Sequence, residues 1–153
     1  MKRKVKQSNG QGGFTMIEII AVLLIIGILS AVALTRFYGT SAADLASQLE
    51  VVKSHLRYAQ TRAMNTDSVW GINLNSTTTY YLFKGIGSTT PILIPGENSA
   101  TVDLNAKKSK LTISPPTGGG VAFDSHGSPG LSTITIATSG GSITVTQNTG
   151  FIP

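Results

Sequence analysis

Residues 13–18 read Gly13-Phe14-Thr15-Met16-Ile17-Glu18, and residues 19–34 continue as IIAVLLIIGILSAVAL before Thr35-Arg36 ends the run. From Phe14 to Leu34, 17 of 21 residues are apolar, and about 20 such residues span the hydrocarbon core of a bilayer as a helix. Residues 14–35 are therefore expected to form a membrane helix. The segment before it, residues 1–13, holds Lys2, Arg3, Lys4 and Lys6 and no acid. A positive flank of this kind stays in the cytoplasm, which puts the remainder of the chain across the membrane. Glu18 interrupts the apolar run about one turn in, where an ionised carboxylate costs at least ~2.5 kcal/mol. In one reading it snorkels into the headgroups. In the other it needs a positive partner, and the run supplies none. A cut between Gly13 and Phe14 would create an α-amine four residues before Glu18, on the same helical face.

Beyond Arg36 the helical period persists. Ala42, Leu45, Leu49, Val52, Leu56, Ala59 and Ala63 recur at alternating steps of three and four, one apolar stripe. Asp44, Gln48, Glu50, Lys53, Arg57 and Arg62 fall elsewhere on the cylinder, so residues 36–66 read as an amphipathic helix. No proline breaks the chain from Phe14 to Met64, and Asn65-Thr66-Asp67-Ser68 is the expected stop. The whole helix would measure about 75 Å. His55, at the polar edge of the stripe, is expected to be solvated. Tyr58 marks the edge of packing.

From Ser68 onward the period drops to about two, as in strands. Residues 69–74 and 80–84 flank the turn Asn75-Ser76-Thr77 and read as a hairpin. Shorter strand candidates are 91–94, 101–104, 110–114 and 121–124, followed by 133–136 and 142–146. Pro115-Pro116 and Gly118-Gly119-Gly120 punctuate them. The last two strands alternate Thr or Ser with Ile or Val, a pattern of one buried and one wet face. The fold class is therefore α+β: a long N-terminal helix packed on a C-terminal antiparallel β domain, residues 67–153.

With the basic leader before it and the long apolar run after it, Gly13-Phe14-Thr15-Met16-Ile17-Glu18 resembles the type IV prepilin signature. The resemblance implies cleavage between Gly13 and Phe14 by prepilin peptidase and N-methylation of Phe14. It implies an assembly role for Thr15, Ile17 and Glu18, the glutamate pairing with the N-terminal amine of an adjacent subunit. Thr35 departs from the helix-kinking proline of many major pilins. Val121-Ala122-Phe123-Asp124-Ser125-His126-Gly127-Ser128-Pro129-Gly130 resembles an element of GspH/FimT-type minor pilins and pseudopilins, in which two glycine- and proline-linked strands follow. The resemblance implies a subunit of a type II secretion pseudopilus or a type IV pilus. Its partners would be other pilin or pseudopilin subunits, prepilin peptidase and the inner membrane. It would be a single-pass protein with its C-terminal domain in the periplasm, later incorporated into a filament.

Enzymatic chemistry has no footing in the chain. Cysteine is absent, which removes disulfides, thiolate catalysis and Cys-ligated zinc. Asp124, Ser125 and His126 are consecutive, so they cannot form a relay among themselves; they read as a turn. No cofactor or transition-metal site is expected from two isolated histidines, while a calcium site of carbonyls and aspartate leaves little sequence trace. Lys107, Lys108 and Lys110 form a basic cluster that reads as a solvated loop. The net charge of +5 invites a nucleic-acid partner. Without the leader, eight basic residues face seven acidic ones, and the tail 148–153 has no arginine. Two alternatives remain beside the assembly subunit. One is a DNA-binding minor pilin for uptake. The other is a secreted soluble β protein cut after Ala33 at the small-x-small sequence Ala31-Val32-Ala33.

Overall fold

A computed structural model describes residues 13–107 and 109–153, and for residues 33–41 the backbone alone. Residues 1–12 of the expected leader, Lys108 and the side chain of Thr35 lie outside the described part. The chain divides between Gly39 and Thr40 into two units, and α1 (Met16–Thr66) contributes to both.

In the first unit the helix is apolar around its circumference, and its large side chains from Met16 to Val32 are exposed. A helix of that kind finds its partner in lipid or in other helices. One polar side chain within the apolar run is satisfied locally. Ser30 Oγ donates to the Ile26 carbonyl at 2.7 Å, satisfying a hydroxyl that apolar surroundings would penalise. Among the described residues no helix is long and apolar enough to cross a membrane. The apolar stretch of α1 whose side chains are described runs from Met16 to Val32. Ala33 and Leu34, which extend the run in the sequence, fall in the backbone-only segment.

The second unit joins the C-terminal part of α1 to two antiparallel sheets. The strands are β1 (Trp70–Leu74), β2 (Thr79–Lys84), β3 (Thr101–Asp103), β4 (Ile113–Ser114), β5 (Gly120–Phe123), β6 (Ile134–Thr138) and β7 (Gly141–Val145). One sheet has the order β3-β2-β1-β5 and the other β4-β6-β7. From β3 to β6 the chain therefore alternates between sheets, and β6 and β7 form a hairpin within the second. The amphipathic stripe packs as its spacing predicts: Leu49, Val52, Leu56, Ala59 and Ala63 are buried against Ile72, Leu74, Tyr80, Leu82, Phe123, Ile136 and Ile143. Leu45 is half-buried beside them, whereas Ala42 is exposed. Asp67, with φ 45°, takes the left-handed conformation just past the helix end.

The β1–β2 hairpin turns at Asn75-Ser76-Thr77 as expected, with Ser76 Oγ accepting from the amides of Thr78 and Thr79. Residues 91–94 do not form a strand. They make one isolated bridge, Leu82 to Ile92, while Ile94 is buried in the core. Pro91 lacks an amide to begin a ladder, so this apolar run serves packing instead of pairing. Asp124 forms the expected turn, its Oδ1 accepting from the amides of His126 and Ser128 at 2.9 and 2.8 Å.

Candidate functional site

The residues singled out at the N-terminus gather around the start of α1. Thr15 precedes the first helical residue, and its Oγ1 accepts from the Glu18 amide at 3.3 Å. This is an N-cap, with Glu18 at the third helical position. The spacing Thr-x-x-Glu is itself a capping signature, a signal in the sequence that the apolar run overshadowed. Glu18 thus lies in the first turn, at the positive end of the helix dipole. Its carboxylate has no hydrogen-bond or ion-pair partner among the described residues. Phe14 and Glu18 line one shallow hollow of about 250 Å³ with Ile19, Val22 and Leu23. Phe14 is 80% exposed and Ile17 72% exposed. The structure thus places Phe14 and Glu18 at one hollow, Thr15 as the cap between them, and Ile17 on open helix surface.

The β domain holds a buried polar cluster that sequence reasoning missed. His55 is only 8% exposed, not the solvated residue its position at the stripe edge predicts. Its Nδ1 lies 2.9 Å from Tyr80 Oη, and its Nε2 3.6 Å from Glu97 Oε1. Glu97 Oε1 also accepts from Lys107 Nζ, so Lys107 is paired instead of merely solvated. The geometry suits the tautomer in which Tyr80 donates to Nδ1 and Nε2–H faces the carboxylate. Burial holds the His55 pKa below its ordinary value, outweighing the Glu97 charge, which acts in the opposite sense. Burial, aided by Glu97, raises that of Tyr80.

These directions fix a pH dependence. With its folded pKa below the unfolded value near 6.5, His55 stays neutral in the fold while the unfolded chain takes up a proton. Stability is therefore full above about pH 6.5 and falls as pH drops toward the folded value, by at most about 1.4 kcal/mol per unit. Urea midpoints of the full chain in detergent, read from the fluorescence of buried Trp70, should decrease from pH 7.5 to 5.5. His55→Gln should flatten that slope.

A third arrangement fixes the C-terminus. Gln60 Nε2 donates to the carbonyls of Gly127, Thr149 and Gly150 at 2.9, 3.1 and 3.0 Å. Arg57 reaches the Ile152 carbonyl at 3.2 Å, and Ile152 itself is buried. Among the described residues no three His, Cys, Asp or Glu side chains converge as metal ligands.

A family profile described as the prokaryotic N-terminal methylation motif matches residues 8–34. It covers both Gly13–Phe14 and Glu18. No curated protein and no solved structure is significantly similar to the chain. The chain therefore carries the N-terminal segment of a type IV prepilin-like protein, joined to an α+β domain consistent with the pilin-like fold. The motif supports a type IV pilin-like protein processed by prepilin peptidase.

Proposed function

We propose that the chain is a non-enzymatic assembly subunit, a minor pilin or pseudopilin of the GspH/FimT type. Its leader is removed between Gly13 and Phe14 and the new N-terminus is methylated. Residues 14–35 then anchor it in the inner membrane with the β domain in the periplasm. From there it enters a type II secretion pseudopilus or a type IV pilus.

The observation that carries this reading is the methylation motif at residues 8–34, which runs into the helix that starts at Met16. The unpartnered carboxylate in the first turn adds to it, since a subunit interface can supply the missing cation. Mass spectrometry of the chain from membranes with and without prepilin peptidase tests the reading. The expected mature N-terminus is N-methylated Phe14, with the uncut chain accumulating when the peptidase is missing. A mature N-terminus at Leu34 in both strains would instead establish ordinary signal-peptide cleavage. The DNA-uptake reading gains nothing from the end of the β domain, because residues 125–153 contain no lysine or arginine.

A further inference from the structure

The three-stranded sheet has two partly open edges, and neither carries a charge. β4 pairs with β6 only at Ile113–Thr138 and Ser114–Ala137. The next two residues are Pro115 and Pro116, which have no N–H to continue the ladder. On this side the Ser139 amide donates to Thr112 at 3.0 Å. Backbone groups alternate along a strand, so Thr135 turns its own to the same side, in line with Thr133, the residue just before β6. Among the described residues no strand meets them there. A groove of about 480 Å³ opens at this place, lined by Pro115, Pro116, Thr117, Thr133, Ile134 and Thr135.

The opposite edge belongs to β7. There Thr146 is already engaged: its amide donates to Phe151 at 2.9 Å and its carbonyl accepts from Gly150 at 2.8 Å. By the same alternation Ser142 and Thr144 face outward, and no strand among the described residues follows β7 in the sheet.

Natural edge strands are blunted by charge, proline or bulges. Here residues 125–153 contain no Asp, Glu, Lys or Arg at all, so neither edge carries a repelling charge.

We propose that β7 of a second copy of the chain adds to the free edge of β6, joining the two sheets head to tail. The direction is antiparallel, continuing the alternation of β6 and β7. Occupied neighbours set the register: Ser114 holds Ala137 and Phe151 holds Thr146, which leaves Thr135 opposite Ser142 and Thr133 opposite Thr144. Each free edge offers two residues, and the neutral, hydroxyl-bearing character of both matches. The contact is heterologous, so its repetition extends instead of closing on itself unless a rotation completes a ring. This inference rests on the sheet alone and does not depend on processing or on a membrane anchor.

The absence of native cysteine makes the test clean. Full-length Thr135→Cys and Ser142→Cys chains are mixed in detergent at high concentration and oxidised. Paired residues of an antiparallel ladder lie about 5.5 Å apart at Cα, within disulfide reach. The mixture should give a disulfide dimer in several-fold excess over either chain oxidised alone. The pair Thr133→Cys with Thr144→Cys should do the same, which guards against misfolding of one variant. Adding Thr133→Lys to the Thr135→Cys chain should cut the yield tenfold or more with Trp70 fluorescence unchanged. A mixed yield no greater than the single-variant yields in both pairs would overturn the proposal. So would self-linking of Thr135→Cys as the main product, or indifference to the lysine.

Discussion

Gly71→Ala is expected to unfold the β domain or leave it barely stable, although it adds a single methyl group. Gly71 lies mid-strand in β1, between Phe83 of β2 and Ala122 of β5. A Cβ at this position would sit 2.3 Å from the Val121 carbonyl oxygen, 2.6 Å from Phe83 Cζ and 2.8 Å from Ala122 Cα. The phenyl ring is the end of a side chain and can yield; the two β5 contacts are backbone and cannot move without shifting that strand. Overpacking relieved by side chains costs about 1–3 kcal/mol, and displacement of a paired strand brings the total to about 3 kcal/mol or more. That is a large share of the roughly 5–15 kcal/mol that holds a domain folded. Urea unfolding monitored at Trp70 gives the comparison. Phe83→Leu in the Gly71→Ala background should restore little, because it removes only the flexible contact. Gly27→Ala, where a Cβ meets nothing within 4 Å, should leave the β domain unchanged. A Gly71→Ala midpoint within error of the parent chain would show that β5 gives way more easily than its pairing implies.

The second large effect is expected at Glu18, on assembly instead of folding. Two forces act on this carboxylate. The helix dipole favours it in the first turn by about 0.3–1 kcal/mol. In the membrane anchor proposed above, apolar surroundings penalise its charge, by about 2.5 kcal/mol where the bilayer is fully apolar. The penalty wins, so a partner cation outweighs the cap as the reason for an acid at this place. Under the proposed function that cation is the Phe14 amine of a neighbouring subunit. Glu18→Ala should then leave membrane insertion and cleavage intact while lowering the amount of subunit in sheared filaments at least tenfold; 2.5 kcal/mol corresponds to about 60-fold. Thr15→Val separates the two forces. It removes the cap, worth about 1 kcal/mol, and leaves the charge, so incorporation should change far less. Equal losses in the two variants would assign Glu18 to helix capping and dismiss charge pairing.

What could be read in advance followed from local repetition. The stripe from Leu49 to Ala63 needs only a 3.6-residue period, and it is the stripe that packs. The Asn75–Thr77 turn and the Asp124 turn are local chemistry of the same kind. The errors all involve distant partners. His55 is buried because Tyr80 and Glu97, 25 and 42 positions further on, close over the helix edge, and no window of sequence contains that fact. Lys107 reads as a loop cation until the fold brings it to Glu97. Residues 91–94 have the composition of a strand, but only the structure shows that a single bridge is available to them. The division of seven strands between two sheets was equally hidden, since β4 and β5 are neighbours in sequence yet belong to different sheets. Thr15 is the opposite case: its capping pattern stood in plain view within a segment whose hydrophobicity drew the attention.

The clamp formed by Gln60 and Arg57 bears on the timing of biogenesis. Gln60 gathers carbonyls from Gly127, Thr149 and Gly150, and Ile152 completes the core. These contacts join points up to 95 positions apart, which places them among the slow, non-local steps of folding. A ribosome makes residue 60 long before residue 152, at about 5–20 residues per second. The helix must therefore wait several seconds with its apolar stripe uncovered, and the domain cannot finish folding until residue 152 has been made.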